Sequence, residues 1–264
     1  MPSKQAQLIA QTIKKLNLKK FISLELMENA QRNLSYEEPP ASFRKKYPVV
    51  VHEVNNCKCV FTKSINTEKP YNHIIYFHGG SYSLPAQRAH WHIIDNILQR
   101  VNTFVTFVNY PLAPQNTCET TIEASLAAYT NITEKYSDNI ILMGDSSGGG
   151  LALALAEYIE SKKIQPKPKK LVLLSPWLDV SMDNIPSELE AKDLILDKTT
   201  LHQKGKEYAG NLSEKNYLCS PLYGNLKKIP KTAVFAGTND ILYAQAEEMK
   251  KRMKRSKNAP SFYS

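Results

Sequence analysis

With 264 residues, 42% of them hydrophobic and 22% charged, the chain has the make-up of one globular α/β domain and is long enough to bury a core without disulfide or metal staples. Its formal charge of +9 raises a nucleic-acid reading, but the lysines are dispersed, with no interleaved aromatic stripe and no nucleic-acid motif, so no nucleic-acid partner is expected. No apolar run approaches the ~18 residues of a membrane span, and the N-terminus MPSKQAQLIAQTIKKLNLKK has no uninterrupted apolar segment, which sets the expectation of a cytoplasmic protein without stable membrane insertion.

Taken in order, residues 3 to about 34 carry apolar side chains at helical spacing, Leu8, Ile9, Ile13 and Leu16, then Phe21, Leu24, Leu26 and Met27. Tyr47 to Val54 and Cys57 to Thr62 are β-rich runs separated by Asn55 and Asn56, a hairpin signal. Cys57, Cys59, Cys118 and Cys219 are too few and too scattered for a disulfide scaffold and read as free thiols, with no metal knuckle. A strand from His73 to Phe77 runs into His78, Gly79, Gly80 and Ser81. A helix from Trp91 to Val101, a strand from Thr103 to Val108 and a helix from Thr117 to Tyr136 follow.

The strand from Ile140 to Met143 then breaks into Gly144, Asp145, Ser146, Ser147, Gly148, Gly149 and Gly150 before an alanine- and leucine-rich helix. Beyond it lie a strand from Lys170 to Leu174, a mostly helical insertion over Val180 to Leu212, and a strand from Thr232 to Ala236. A helix from Leu242 to about Lys254 closes the series, and its basic run reads as a solvated face. Strands alternating with helices predict an α/β fold: a mainly parallel sheet covered on both faces, with an antiparallel hairpin at its N-terminal edge.

In such sheets ligands bind outside the carboxyl ends of the strands, where three glycine- or acid-bearing turns fall here. The GxSxG turn makes Ser146 the candidate nucleophile, because glycines on either side let strand and helix approach closely while the serine hydroxyl is raised. The short motif also suits a Gly/Ser-rich loop or a phosphate-binding turn; a P-loop is disfavoured because no Lys-Ser/Thr pair follows. The Ser147 amide, at the start of the helix, would face a developing oxyanion, with unhindered amides at Gly79 and Gly80 in support. Asp240 is placed to orient a catalytic histidine, or to cap the following helix.

Six ordered motifs carry a resemblance: HGGSY at 78–82, NYPLAPQ at 109–115, GDSSGG at 144–149, SPWLDVS at 175–181, SPLYGNL at 220–226 and GTNDIL at 237–242. Together the chain resembles an α/β-hydrolase of the hormone-sensitive lipase group. The resemblance implies a single domain over 1–264, with a small helical cap from about 1–45 and 181–212. It also implies hydrolysis of small, short-chain carboxylic esters with no metal or organic cofactor. It gives Ser146 and Asp240 as catalytic residues, and Gly79, Gly80 and Ser147 as oxyanion donors. His78 and Asp145 become supports for the oxyanion loop and the elbow. A homodimer is left open.

The family places its histidine after the acid, yet the 24 residues following Asp240 contain none; His52, His73, His78, His90, His92 and His202 all precede it. The expectation from sequence is therefore a truncated or degenerate hydrolase, with SFY at 261–263 opening the last strand. Its alternative is a receptor-like protein that binds a small acyl ligand without turnover, as do plant gibberellin receptors, which resemble the family and lack the same histidine. His202 in the cap is a disfavoured substitute base.

Overall fold

The computed structural model describes residues 11–12, 35–65, 72–136, 139–254 and 259–264. Most of the N-terminal segment read as a helical lead-in thus lies outside the described residues. Eight strands form one sheet: β1 (Val49–Val54), β2 (Cys57–Lys63), β3 (Asn72–Phe77), β4 (Thr103–Asn109), β5 (Ile140–Asp145), β6 (Lys170–Leu174), β7 (Lys231–Phe235) and β8 (Ser261–Tyr263). Their spatial order is β1-β2-β4-β3-β5-β6-β7-β8. The β1–β2 and β2–β4 pairs are antiparallel and every other pair is parallel, so the predicted N-terminal hairpin and parallel body are both present. Asn55 and Asn56 hold φ of 46° and 63°, the left-handed pair that a two-residue hairpin turn requires.

The period-two alternation of strand side chains divides the core into two layers. In β3, Ile74 and Tyr76 join a cluster with Phe43, Trp91, Ile94 and Leu98, the residues of α1 (Ala41–Arg44) and α2 (Arg88–Arg100). Ile75 and Phe77 point the other way, into a larger cluster with α3 (Cys118–Lys135), α4 (Ser147–Ser161) and α7 (Tyr243–Met253). Helix α2 begins three residues earlier than its apolar periodicity suggests, because its first turn, Arg88, Ala89 and His90, has no apolar stripe to announce it. The insertion after β6 carries α5 (Ser187–Lys192) and α6 (Lys198–Ala209).

Parallel pairing brings the carboxyl ends of the central strands side by side. Phe77 pairs with Gly144, Asp145 with Leu174, and Leu174 with Phe235. The turns after β3, β5, β6 and β7 therefore emerge along one rim. Among the described residues no helix is long and apolar enough to cross a membrane.

Candidate active site

Ser146 stands between β5 and α4 with φ 49° and ψ −121°. A serine keeps a left-handed φ only where its surroundings impose it. Its N–H donates to the Leu174 carbonyl at 2.9 Å, and its carbonyl accepts from the amides of Gly150 at 3.1 Å and Trp177 at 2.9 Å. The approach of helix to strand adds a steric constraint. A Cβ on Gly148 would overlap the Phe77 and His78 carbonyls, and one on Gly144 would overlap the Gly148 backbone. The chain turns sharply as a result, and Ser146 lines both a cavity of about 550 Å³ and a neighbouring groove of about 490 Å³.

The turn after β3 folds over this serine. His78 is buried and donates from Nδ1 to the Gly79 carbonyl at 2.7 Å, while its ring stacks on Tyr110 with centroids 4.6 Å apart. Burial, and then the neighbouring His90, push its pKa down to about 4, so the ring is neutral at pH 7. The Tyr110 hydroxyl in turn donates to the His78 carbonyl at 2.7 Å. Gly80 takes φ 129°, and its carbonyl accepts from the amides of Ser83 and Leu84 at 3.0 and 2.8 Å.

One expectation is corrected here. The Gly79 amide, read from sequence as an oxyanion donor, donates instead to Asp145 Oδ1 at 3.0 Å and is not available to a substrate oxygen. The Gly80 amide has no acceptor among the described residues. Ser147 is the first residue of α4, so its N–H lacks an intrahelical acceptor.

Asp145 ties the two turns together. Besides the Gly79 amide it accepts from the Tyr76 hydroxyl at 2.7 Å, and its Oδ2 lies 3.4 Å from His90 Nε2. Burial pushes its carboxyl up, but the His90 hydrogen bond, with the Tyr76 hydroxyl, outweighs burial and holds it below the usual range. The other nitrogen of His90, Nδ1, accepts from the Gln87 amide at 2.8 Å, which leaves the proton on Nε2, directed at Asp145. His90 and Tyr76 escape a sequence reading. Each is an ordinary apolar-face or helix-start residue until folding sets it against Asp145.

Asp240 follows β7. Its Oδ1 accepts from the Leu242 amide at 2.8 Å, and its carboxyl bonds the side chain of Ser175, a residue that lines the groove beside Ser146. Burial raises its pKa, as does the charge of Asp193, while those two hydrogen bonds lower it. Asp193, another residue missed from sequence, accepts from the amides of Ile195 and Leu196 and from that of Ile241 at 2.9 Å, joining the insertion to the acid turn. Gly79, Gly80, Asp145, Ser146 and His90 wall one cavity with Ile195 and Leu196 of the insertion; Asp240 stands one residue behind the groove. His202 is elsewhere, its Nε2 2.8 Å from Glu214.

Residues 74–263 match the alpha/beta hydrolase fold family. The chain is 34% identical over 176 residues to a triacylglycerol lipase of Mycobacterium tuberculosis, an alignment covering 66% of this chain and 36% of that protein. It is 26% identical over 179 residues to an acetyl-hydrolase of Streptomyces hygroscopicus, covering 67% of this chain and 60% of the relative. It thus spans less than two thirds of either curated relative. Among solved structures, a hormone-sensitive lipase from a metagenome library superposes with a TM-score of 0.80 at 24% identity, over 97% of this chain and 86% of the other, a likeness of fold. With the family match extending from β3 to β8, this chain belongs to the alpha/beta hydrolase fold family.

Proposed function

We propose that the protein acts on short-chain carboxylic esters as a serine hydrolase, Ser146 attacking the carbonyl carbon to give an acyl-enzyme. The observation that carries this reading is the left-handed φ of Ser146 at a strand-to-helix turn opening on a cavity shared with Gly80. The amides of Gly80 and Ser147 receive the oxyanion, reinforced by the positive end of α4. His78 and Asp145 position that loop. Tyr36, Leu84, Ile195 and Leu196 form the acyl wall, with residues 181–212 serving as cap. Asp240 orients the base in this scheme, a role His90 does not fill, since its two ring nitrogens are already engaged.

That engagement of His90 also favours a second reading, binding of a small acyl ligand without turnover. Release of p-nitrophenol from p-nitrophenyl acetate and butyrate, compared with Ser146→Ala, separates the two. Ser146-dependent release supports the hydrolase. Saturable binding with equal background release in both proteins supports the binder.

A further inference from the structure

Glu157 lies on α4, eleven residues beyond Ser146 and so ~16 Å further along the helix axis. It is 5% exposed, and among the described residues neither of its carboxyl oxygens has a hydrogen-bond partner. Its carboxyl group occupies space that is free only because residue 224 is glycine; a Cβ there would overlap both oxygens. Glu157 is among the residues lining a cleft of about 830 Å³ between α4 and residues 223–228. Tyr217, Tyr223 and Leu226 supply its less polar wall, and Lys163, Lys227 and Lys228 stand at its edge, exposed and without an ion pair among the described residues. Arg252 is already committed, to Glu248 and the Leu222 carbonyl.

We propose that this cleft is a binding site for a small monocarboxylate, with Glu157 as its anchor. Three cationic side chains at the mouth select an anion and oppose an amine. Burial raises the Glu157 pKa well above the usual carboxylate range, so its carboxyl group keeps its proton and offers an O–H to one carboxylate oxygen of the ligand. The lysines meet the other oxygen, and a short alkyl tail rests on the tyrosines and Leu226. The class includes the acids that ester hydrolysis releases, a link that rests on the esterase reading; the site itself does not.

Calorimetric titration of the full chain with sodium butyrate tests the site, using wild type, Glu157→Gln, Glu157→Leu and Lys227→Ala/Lys228→Ala. Glutamine imitates the protonated acid, so Glu157→Gln is expected to bind within about threefold of wild type, while Glu157→Leu and the double lysine variant lose about tenfold or more, the scale of one charge-assisted hydrogen bond. Absence of saturable binding, equal binding by Glu157→Leu, or loss in Glu157→Gln as deep as in Glu157→Leu overturns the proposal. The glutamine and lysine variants decide the matter should the leucine protein fail to fold. Ser146→Ala binds butyrate here like wild type, so the failure of either reading is visible separately.

Discussion

His90 Nε2 stands 3.4 Å from the Asp145 carboxylate while its Nδ1 accepts from the Gln87 amide, so the imidazole that shares a cavity with Ser146 is a brace rather than a free base. It links the start of α2 to the elbow, and through Asp145 to the Gly79 amide. His90→Ala and Asp145→Ala are each expected to lower the unfolding free energy by about 1–3 kcal/mol, the cost of leaving buried polar partners unmet. Because both act on one network, the double variant loses less than the sum. Urea unfolding of the four proteins checks this, and strict additivity contradicts it.

Much of this arrangement was legible beforehand, for reasons that differ by residue. The run Ile140 to Met143 followed by glycines announces a strand and a sharp turn, and β6 falls where its apolar run lies, at Lys170–Leu174. Asp240 is readable as an acid in the turn that follows such a strand. The commitment of Gly79 was not, since it depends on Asp145, 66 residues away, and no local pattern encodes that hydrogen bond. Asp193 is hidden in the same way; its link to Ile241 spans 48 residues inside a segment of weak periodicity.

The backbone of Ser146 stores strain that a side chain does not relieve. Ser146→Gly should raise the unfolding free energy by about 1 kcal/mol, the strain released less the entropy that glycine adds to the unfolded chain. Ser146→Ala keeps the Cβ and leaves the strain in place. Comparison of the two Tm values is the measurement, and equal stabilities would count against a strained elbow.

At Gly148 the close approach of α4 to the β3 turn leaves no room for a methyl group, which would meet backbone rather than a movable side chain. Gly148→Ala is expected to lower stability by about 3 kcal/mol or more, in the range of severe overpacking. Thermal unfolding followed by circular dichroism reads this directly, and a shift of less than about 1 kcal/mol speaks against the packing described.

Two buried histidines predict loss of stability in mild acid. Burial pushes His73 down to about 3, and burial with the neighbouring His90 pushes His78 down to about 4, both from 6.5. The unfolded chain therefore takes up protons that the folded one refuses, so stability is full above pH 6.5 and falls as the pH drops toward those lower values. Between pH 7 and 5 each histidine withdraws about 2 kcal/mol. His52, also lowered by burial and by Lys135, adds in the same direction. Glu157 and Asp240, both raised, act oppositely. Urea unfolding of Glu157→Leu/Asp240→Asn at the two pH values isolates the histidines, and an unchanged unfolding free energy contradicts their burial in the neutral form.

The most direct test of the central claim is the intact mass of the protein during incubation with p-nitrophenyl butyrate, followed by peptide mapping. One butyryl group on the peptide containing Ser146, absent from Ser146→Ala, is the predicted result. A butyryl group on any other residue, or p-nitrophenol released at the same rate by both proteins with no adduct at Ser146, would contradict it.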